Sequence, residues 1–421
     1  MRQLRAIADC VGRGDDATAH RYLRELISEQ LSYKHGEKHA VKSLCNIAQH
    51  CAEMYRTDFE HTCLVTAIDV APTDGWAYTQ FADHYKRLGQ FEKALECLDN
   101  ASKYGEDRIA QRSRADIYAM KGNYEEAFRI YDEITDIATD ATLRTAKADL
   151  LRRMGKLEEA EAEYDLLETD GLAGDRVCAG RAEIAKRLGD MEAARAIYER
   201  ILEYDSIGDE AKYIYSLALT NVLLRLADYE AAFRHADTAV QTKPFAHQAR
   251  LTRAAAAGLL GDVSGALDGL PIVGQTSAFN EWIGDYVKGG LLLLLDRNDD
   301  ARKSLIGKLN RKCKFADEEG KSILRLGAAA CLLRSRHGVA GAAMILSQIE
   351  SGHDAYAGWV RHALEYHVAV AMRNIADIDR LRQELSTAAD PGIQELVAAI
   401  GSRAWDSVTR HEAQMILRLA S

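Results

Sequence analysis

The chain has 421 residues, of which 47% are hydrophobic and 28% charged, and its formal net charge is −10. That balance supplies enough apolar surface for a continuous core. The acidic excess argues against a general binder of nucleic-acid phosphate, which needs a basic face. The eight cysteines show no CxxC spacing, which speaks against a metal framework and fits small buried side chains in a reducing cytoplasm.

The first residues reach Asp9 without a signal-peptide core, and the longest aliphatic run, Leu291 to Leu295, is too short to span a bilayer. A soluble cytoplasmic protein without a membrane span is expected. Only four prolines occur, Pro72, Pro244, Pro271 and Pro391, and their scarcity suits long helical runs.

In chain order, the first recognisable element is Arg13-Gly14-Asp15-Asp16-Ala17-Thr18-Ala19, inside a block of degenerate helix pairs over residues 1–74. Residues 75–208 then repeat regularly. Leu88-Gly89-Gln90-Phe91-Glu92-Lys93-Ala94 aligns with Lys121-Gly122-Asn123-Tyr124-Glu125-Glu126-Ala127, with Met154-Gly155-Lys156-Leu157-Glu158-Glu159-Ala160 and with Leu188-Gly189-Asp190-Met191-Glu192-Ala193-Ala194. The glycines are 33, 33 and 34 residues apart.

Seven residues before each glycine stands an alanine (Ala82, Ala115, Ala148, Ala182), and nine after it Leu98, Tyr131, Tyr164 or Tyr198. Each unit reads as a helix A, a turn at the glycine and a helix B. The small residues let the two axes approach, and the large one fills the space toward the next unit.

Diverged copies follow over 209–315: Leu226-Ala227-Asp228-Tyr229 with alanine in the turn, Leu260-Gly261-Asp262-Val263, and the worn Leu295-Asp296-Arg297-Asn298. Residues 316–421 read as degenerate pairs and a cap, with helix pairs near 321–350 and 354–387. Asp390-Pro391-Gly392 marks a break before one last amphipathic stretch from Ile393.

The small–Gly–aromatic–Ala–aromatic series resembles the tetratricopeptide repeat family. So do Pro72 five residues after Ala67 and Pro244 five after Ala239. The resemblance is good from about Gly75 to Tyr204 and weakens outward. It implies an all-α fold, a right-handed superhelical solenoid of antiparallel helix pairs, and a non-enzymatic scaffold that binds a protein or peptide, with a regulatory use. The alternative it leaves open is the recognition or sensor region of a larger bacterial signalling or defence assembly with a separate effector.

In that family helix A lines the concave face. Counting from fourteen residues before the turn glycine, position nine holds Asp83, Asp116, Asp149 and Glu183, and position thirteen holds Arg87, Met120, Arg153 and Arg187. Family members that grip the acidic tails of heat-shock chaperones carry asparagine and lysine at such positions, so the resemblance does not carry that role here. Two readings stand. One is a charged groove for a partially basic peptide or helix. The other is a set of i,i+4 pairs (Asp83–Arg87, Asp149–Arg153, Glu183–Arg187) on a wet helix face, each worth only ~0.2–0.5 kcal/mol.

Further along the inner face turns apolar, with Leu217, Asn221 and Leu224, then Leu251, then Tyr286 and Leu293. Either the solenoid packs tightly there, or a partner or second copy covers it, and the contrast with the charged first half puts the expected binding surface between about Leu217 and Leu295.

Other chemistry finds little support. His35/His39 and His362/His367 lack the HExxH arrangement, and no phosphate loop or nucleophile elbow occurs. Neither cofactor nor metal is implied. Arg302, Lys303, Lys308, Arg311, Lys312 and Lys314 form the densest basic patch, without the interleaved aromatics that stack bases. Eight carboxylates without a Lys or Arg run from Glu158 to Asp175, the composition of a solvated outer helix.

Overall fold

The computed structural model describes residues 2–419 apart from 55, 135–139, 173, 205–206, 245, 271–280, 308, 311–312, 314–317, 336 and 350–354. Among these the chain is all-α, a helical solenoid of 24 helices with no strand. It divides into two compact units, built mainly from residues 1–177 and 178–421.

In the first unit the pairs are α1 (Arg2–Gly12) and α2 (Asp16–Leu31), α3 (Gly36–Glu53) and α4 (Thr57–Val70), α5 (Gly75–Arg87) and α6 (Phe91–Lys103). They continue as α7 (Asp107–Met120) and α8 (Tyr124–Glu133), then α9 (Ala141–Arg153) and α10 (Leu157–Thr169). The second unit holds α11 (Asp175–Leu188) and α12 (Met191–Leu202), α13 (Asp209–Arg225) and α14 (Tyr229–Thr242), α15 (His247–Leu259) and α16 (Val263–Asp268), α17 (Glu281–Leu294) and α18 (Asn298–Leu305). It ends with α19 (Glu318–Leu333) and α20 (Val339–Leu346), α21 (Ala355–Met372) and α22 (Ile375–Leu385), α23 (Pro391–Ser402) and α24 (Trp405–Arg418).

One turn joins the two helices of most pairs. A residue in the left-handed region ends helix A, and the next N–H donates to the carbonyl five residues back: Gln90 to Tyr85 (2.9 Å), Asn123 to Tyr118 (2.9 Å), Lys156 to Leu151 (3.0 Å), Asp190 to Ala185 (2.9 Å). This satisfies carbonyls left free at the helix end. Gly122 (φ 77°) and Gly155 (φ 80°) take that backbone without penalty, but Ala227 (φ 59°) and Asp296 (φ 54°) adopt it with a Cβ. Asp190, Asp228 and Asp262 then cap helix B by accepting the N–H three residues on.

The same turn recurs at Arg373 and Arg403 (φ 57° each), with Asn374 donating to Ala369 (3.0 Å) and Ala404 to Ala399 (2.9 Å). The single last stretch expected from Ile393 is therefore two helices, α23 and α24. The left-handed position between them is Arg403, with the nearest glycine two residues earlier at Gly401, so the signal that betrays the earlier turns is out of register.

The repeat's small residues form the helix-pair contacts: Ala94, Ala127, Ala160 and Ala194 of helix B, and Ala115, Ala148 and Ala182 of helix A, are all at 0% exposure. Six cysteines are buried and the other two are half-buried. Burial pushes the Cys45 thiol up to about 12 and those of Cys97 and Cys331 up to about 11, so these sulfurs pack as apolar groups. None of the described helices is long and apolar enough to cross a membrane.

Candidate functional site

The acidic column of position nine is held by the tyrosines of helix B. Tyr131 donates its hydroxyl to Asp116 (3.1 Å), Tyr164 to Asp149 (2.8 Å) and Tyr198 to Glu183 (2.6 Å), each within its own pair. Burial, followed by the neighbouring carboxylate, pushes the Tyr131 and Tyr164 hydroxyls well above their ordinary values, so they stay protonated donors. In addition Asp149 meets Arg152 (3.5 Å) and Glu183 meets Lys186 (2.8 Å), each three residues on. Arg153 is exposed and Arg187 half-buried. Most of the column thus has an internal structural role that the sequence reading missed.

Asp83 is different, because Leu98 replaces the tyrosine in its pair. It pairs with Lys86 (2.6 Å), and the expected Asp83–Arg87 pair is replaced by an ion pair of Arg87 with Glu60 of α4. Glu60 also meets the ring of His84 (Nδ1 to Oε1, 3.1 Å). Glu60, Asp83 and Arg87 line a cavity of about 190 Å³, completed by Cys45, Ala48, Gln49 and Ala52 of α3, Leu64 of α4 and Gln80 of α5.

Glu60 and His84 are each only 1% exposed, and both occupy places that the repeat reserves for apolar residues. The N–H of Glu60 bonds to the carbonyl of Arg56, four residues back (2.9 Å), just as Ala94 bonds to Gln90 and Ala127 to Asn123. Glu60 therefore stands where the other pairs of this unit bury Ala19, Ala94, Ala127 and Ala160. His84 follows Asp83 as Ile117 follows Asp116 and Leu150 follows Asp149. The signal was present in the sequence, since Glu60 lies 34 residues before Ala94.

The apolar inner face of the second unit is filled by the chain itself. Leu224, Leu251, Tyr286 and Leu293 are buried in one cluster with Ile416, Leu417 and Leu419 at the C-terminus. A Cβ at Gly290 of α17 would lie 2.7 Å from Leu417 Cδ2, so α24 rests directly on α17. Arg418, 3% exposed, donates to the carbonyls of Leu224 (2.9 Å) and Arg225 at the end of α13 and pairs with Asp390. Cations suit the free carbonyls of a helix C-terminus.

Those four apolar side chains are core rather than lining for a partner. Their burial is that of tight internal packing, and it depends on a helix more than 100 residues further along the sequence from Leu293. Leu217 and Asn221 are half-buried. Of the basic patch, Lys308, Arg311, Lys312 and Lys314 lie outside the described residues, while Lys303 pairs with Asp300 (3.2 Å).

Residues 79–142 and 175–207 are tetratricopeptide repeats by family-model match. No curated protein matches the chain in sequence. Among solved structures, a tetratricopeptide repeat protein from Parabacteroides merdae is 18% identical; the match covers 64% of this chain and 100% of that one, with a TM-score of 0.44. Yeast Tom70 is 13% identical, with 87% and 97% of the two chains covered and a TM-score of 0.37. A protein-interaction scaffold is the role that the repeats in these two stretches support.

Proposed function

We propose that this chain is a non-enzymatic, regulatory scaffold that holds a protein or peptide partner, and that the partner is anchored on the first unit between α3 and α5. The observation that carries this reading is the polar cavity at Glu60, Asp83 and Arg87. It is lined by α3, α4 and α5, of which α5 opens a matched repeat, whereas the apolar inner face of the second unit is occupied by α24. Gln49, Gln80, Asp83 and Arg87 offer donors and acceptors to a segment laid across the two helices, and recognition of extended or helical segments in a groove reuses such side chains.

The test is selection of a displayed random-peptide library on the full chain. Enriched peptides should bind with an affinity that falls at least tenfold in Gln80→Ala and Asp83→Lys variants. Failure to enrich any sequence family, or equal binding by both variants, refutes the reading.

A further inference from the structure

Two buried apolar positions of adjacent repeats have become an acid and an imidazole in contact, Glu60 and His84 (Oε1 to Nδ1, 3.1 Å). Stability does not account for the change. A buried polar pair is often no better than well-packed apolar residues of similar volume, and apolar residues stand at these places in the other pairs of this unit. Departures from a fold's own rule gather at functional sites.

The contacts of Glu60 fall on one oxygen: both Arg87 and His84 meet Oε1, while Glu60 also lines the cavity. Asp83 stands on the same wall. Two carboxylates therefore face a small polar space, and in the free protein each holds one of the chain's own cations, Lys86 on Asp83 and Arg87 on Glu60. Arg87 reaches Glu60 with a side chain that is still 43% exposed, so it is the replaceable member of the pair.

We propose that this pocket binds the ammonium or guanidinium group of a basic side chain in the partner, with Glu60 as the principal acceptor, Asp83 as the second, and Arg87 as a resident cation that the ligand displaces. The inference rests on the first unit carrying the partner site and adds the chemistry of the anchor. Because Arg87 competes with the ligand, its removal should strengthen binding. A site that used Arg87 to hold an anion or an amide would lose binding instead.

The probe is n-butylammonium chloride, titrated into the full-length protein and followed by ligand-observed NMR, with sodium butyrate, butyramide and sodium chloride at matched ionic strength as controls. Butylammonium should bind selectively, about tenfold more weakly to Glu60→Gln and several-fold more tightly to Arg87→Ala, whose melting temperature it should raise more than that of the native protein. If Glu60→Gln does not fold, Asp83→Asn, at the half-exposed wall, should show weakened binding in its place. Selective binding of butyrate or butyramide, loss of butylammonium binding in Arg87→Ala, or no binding by any probe overturns the proposal. Selected peptides that bind yet retain full affinity after their lysines are acetylated and their arginines replaced by citrulline overturn it too, while leaving the peptide-scaffold reading intact.

Discussion

Replacing Glu60 and His84 by the residues of the neighbouring repeats reverses an ordinary expectation about mutations in a core. In Glu60→Ala alone, the imidazole of His84, with a side chain 2% exposed, loses its carboxylate. Leaving a buried polar group without its neighbour costs about 1–3 kcal/mol, because the group stays desolvated. Adding His84→Ile removes that group and places an isoleucine where Ile117 sits one repeat on. Arg87 is freed in both variants, but it is 43% exposed and turns to water.

The double variant should therefore recover the whole loss, ending between neutral and about 1–4 kcal/mol more stable than the native protein. Trp76 on α5 is the one tryptophan of the first 177 residues, and its fluorescence in a urea titration reports on the unit concerned, with the midpoint tracking stability at constant slope. A double variant less stable than Glu60→Ala would refute the reasoning, since Glu60 and His84 would then not be stabilising each other across a buried contact.

Three further outcomes follow from the same geometry. Exchanging Ala227 for glycine should stabilise the second unit by about 0.5–1 kcal/mol, and Gly122→Ala should destabilise the first by a similar amount; a Cβ at Gly122 meets no atom within 4 Å, so denaturant midpoints moving in the same direction in both variants would exclude the backbone explanation. Tyr164→Phe keeps the ring but removes the donor to Asp149 (2.8 Å), for an expected loss of about 1–2 kcal/mol read by thermal unfolding, while a Leu98→Phe control touches no such bond. Gly290→Ala forces Leu417 off α17 and should cost about 1–3 kcal/mol; hydrogen exchange should accelerate in α24, and unchanged protection there would show that the helix does not depend on this contact.

The tetratricopeptide repeat and its register were legible in the sequence because a turn needing a left-handed residue favours glycine, and because a close helix pair needs alanine at fixed spacing. Where those requirements are met by other residues, as at Ala227, Asp296, Arg373 and Arg403, the signal fades although the turn persists. The charged character of the inner column could also be read directly, but its partners could not. The hydroxyls of Tyr131, Tyr164 and Tyr198 cross from helix B to a carboxylate 15 residues earlier, a distance in sequence that says nothing of proximity until the pair is closed.

By itself the sequence determined an all-helical stack of pairs, because hydrophobic period and turn chemistry are local. Only the tertiary structure decided which inner face is open. The apolar face of the second unit is closed by Leu417 and Arg418, beyond the reach of any local rule. The polar cavity of the first exists because Glu60 and Arg87, 27 residues apart, meet across adjacent helix pairs, and burial turns an unremarkable glutamate into a carboxylate that must have partners.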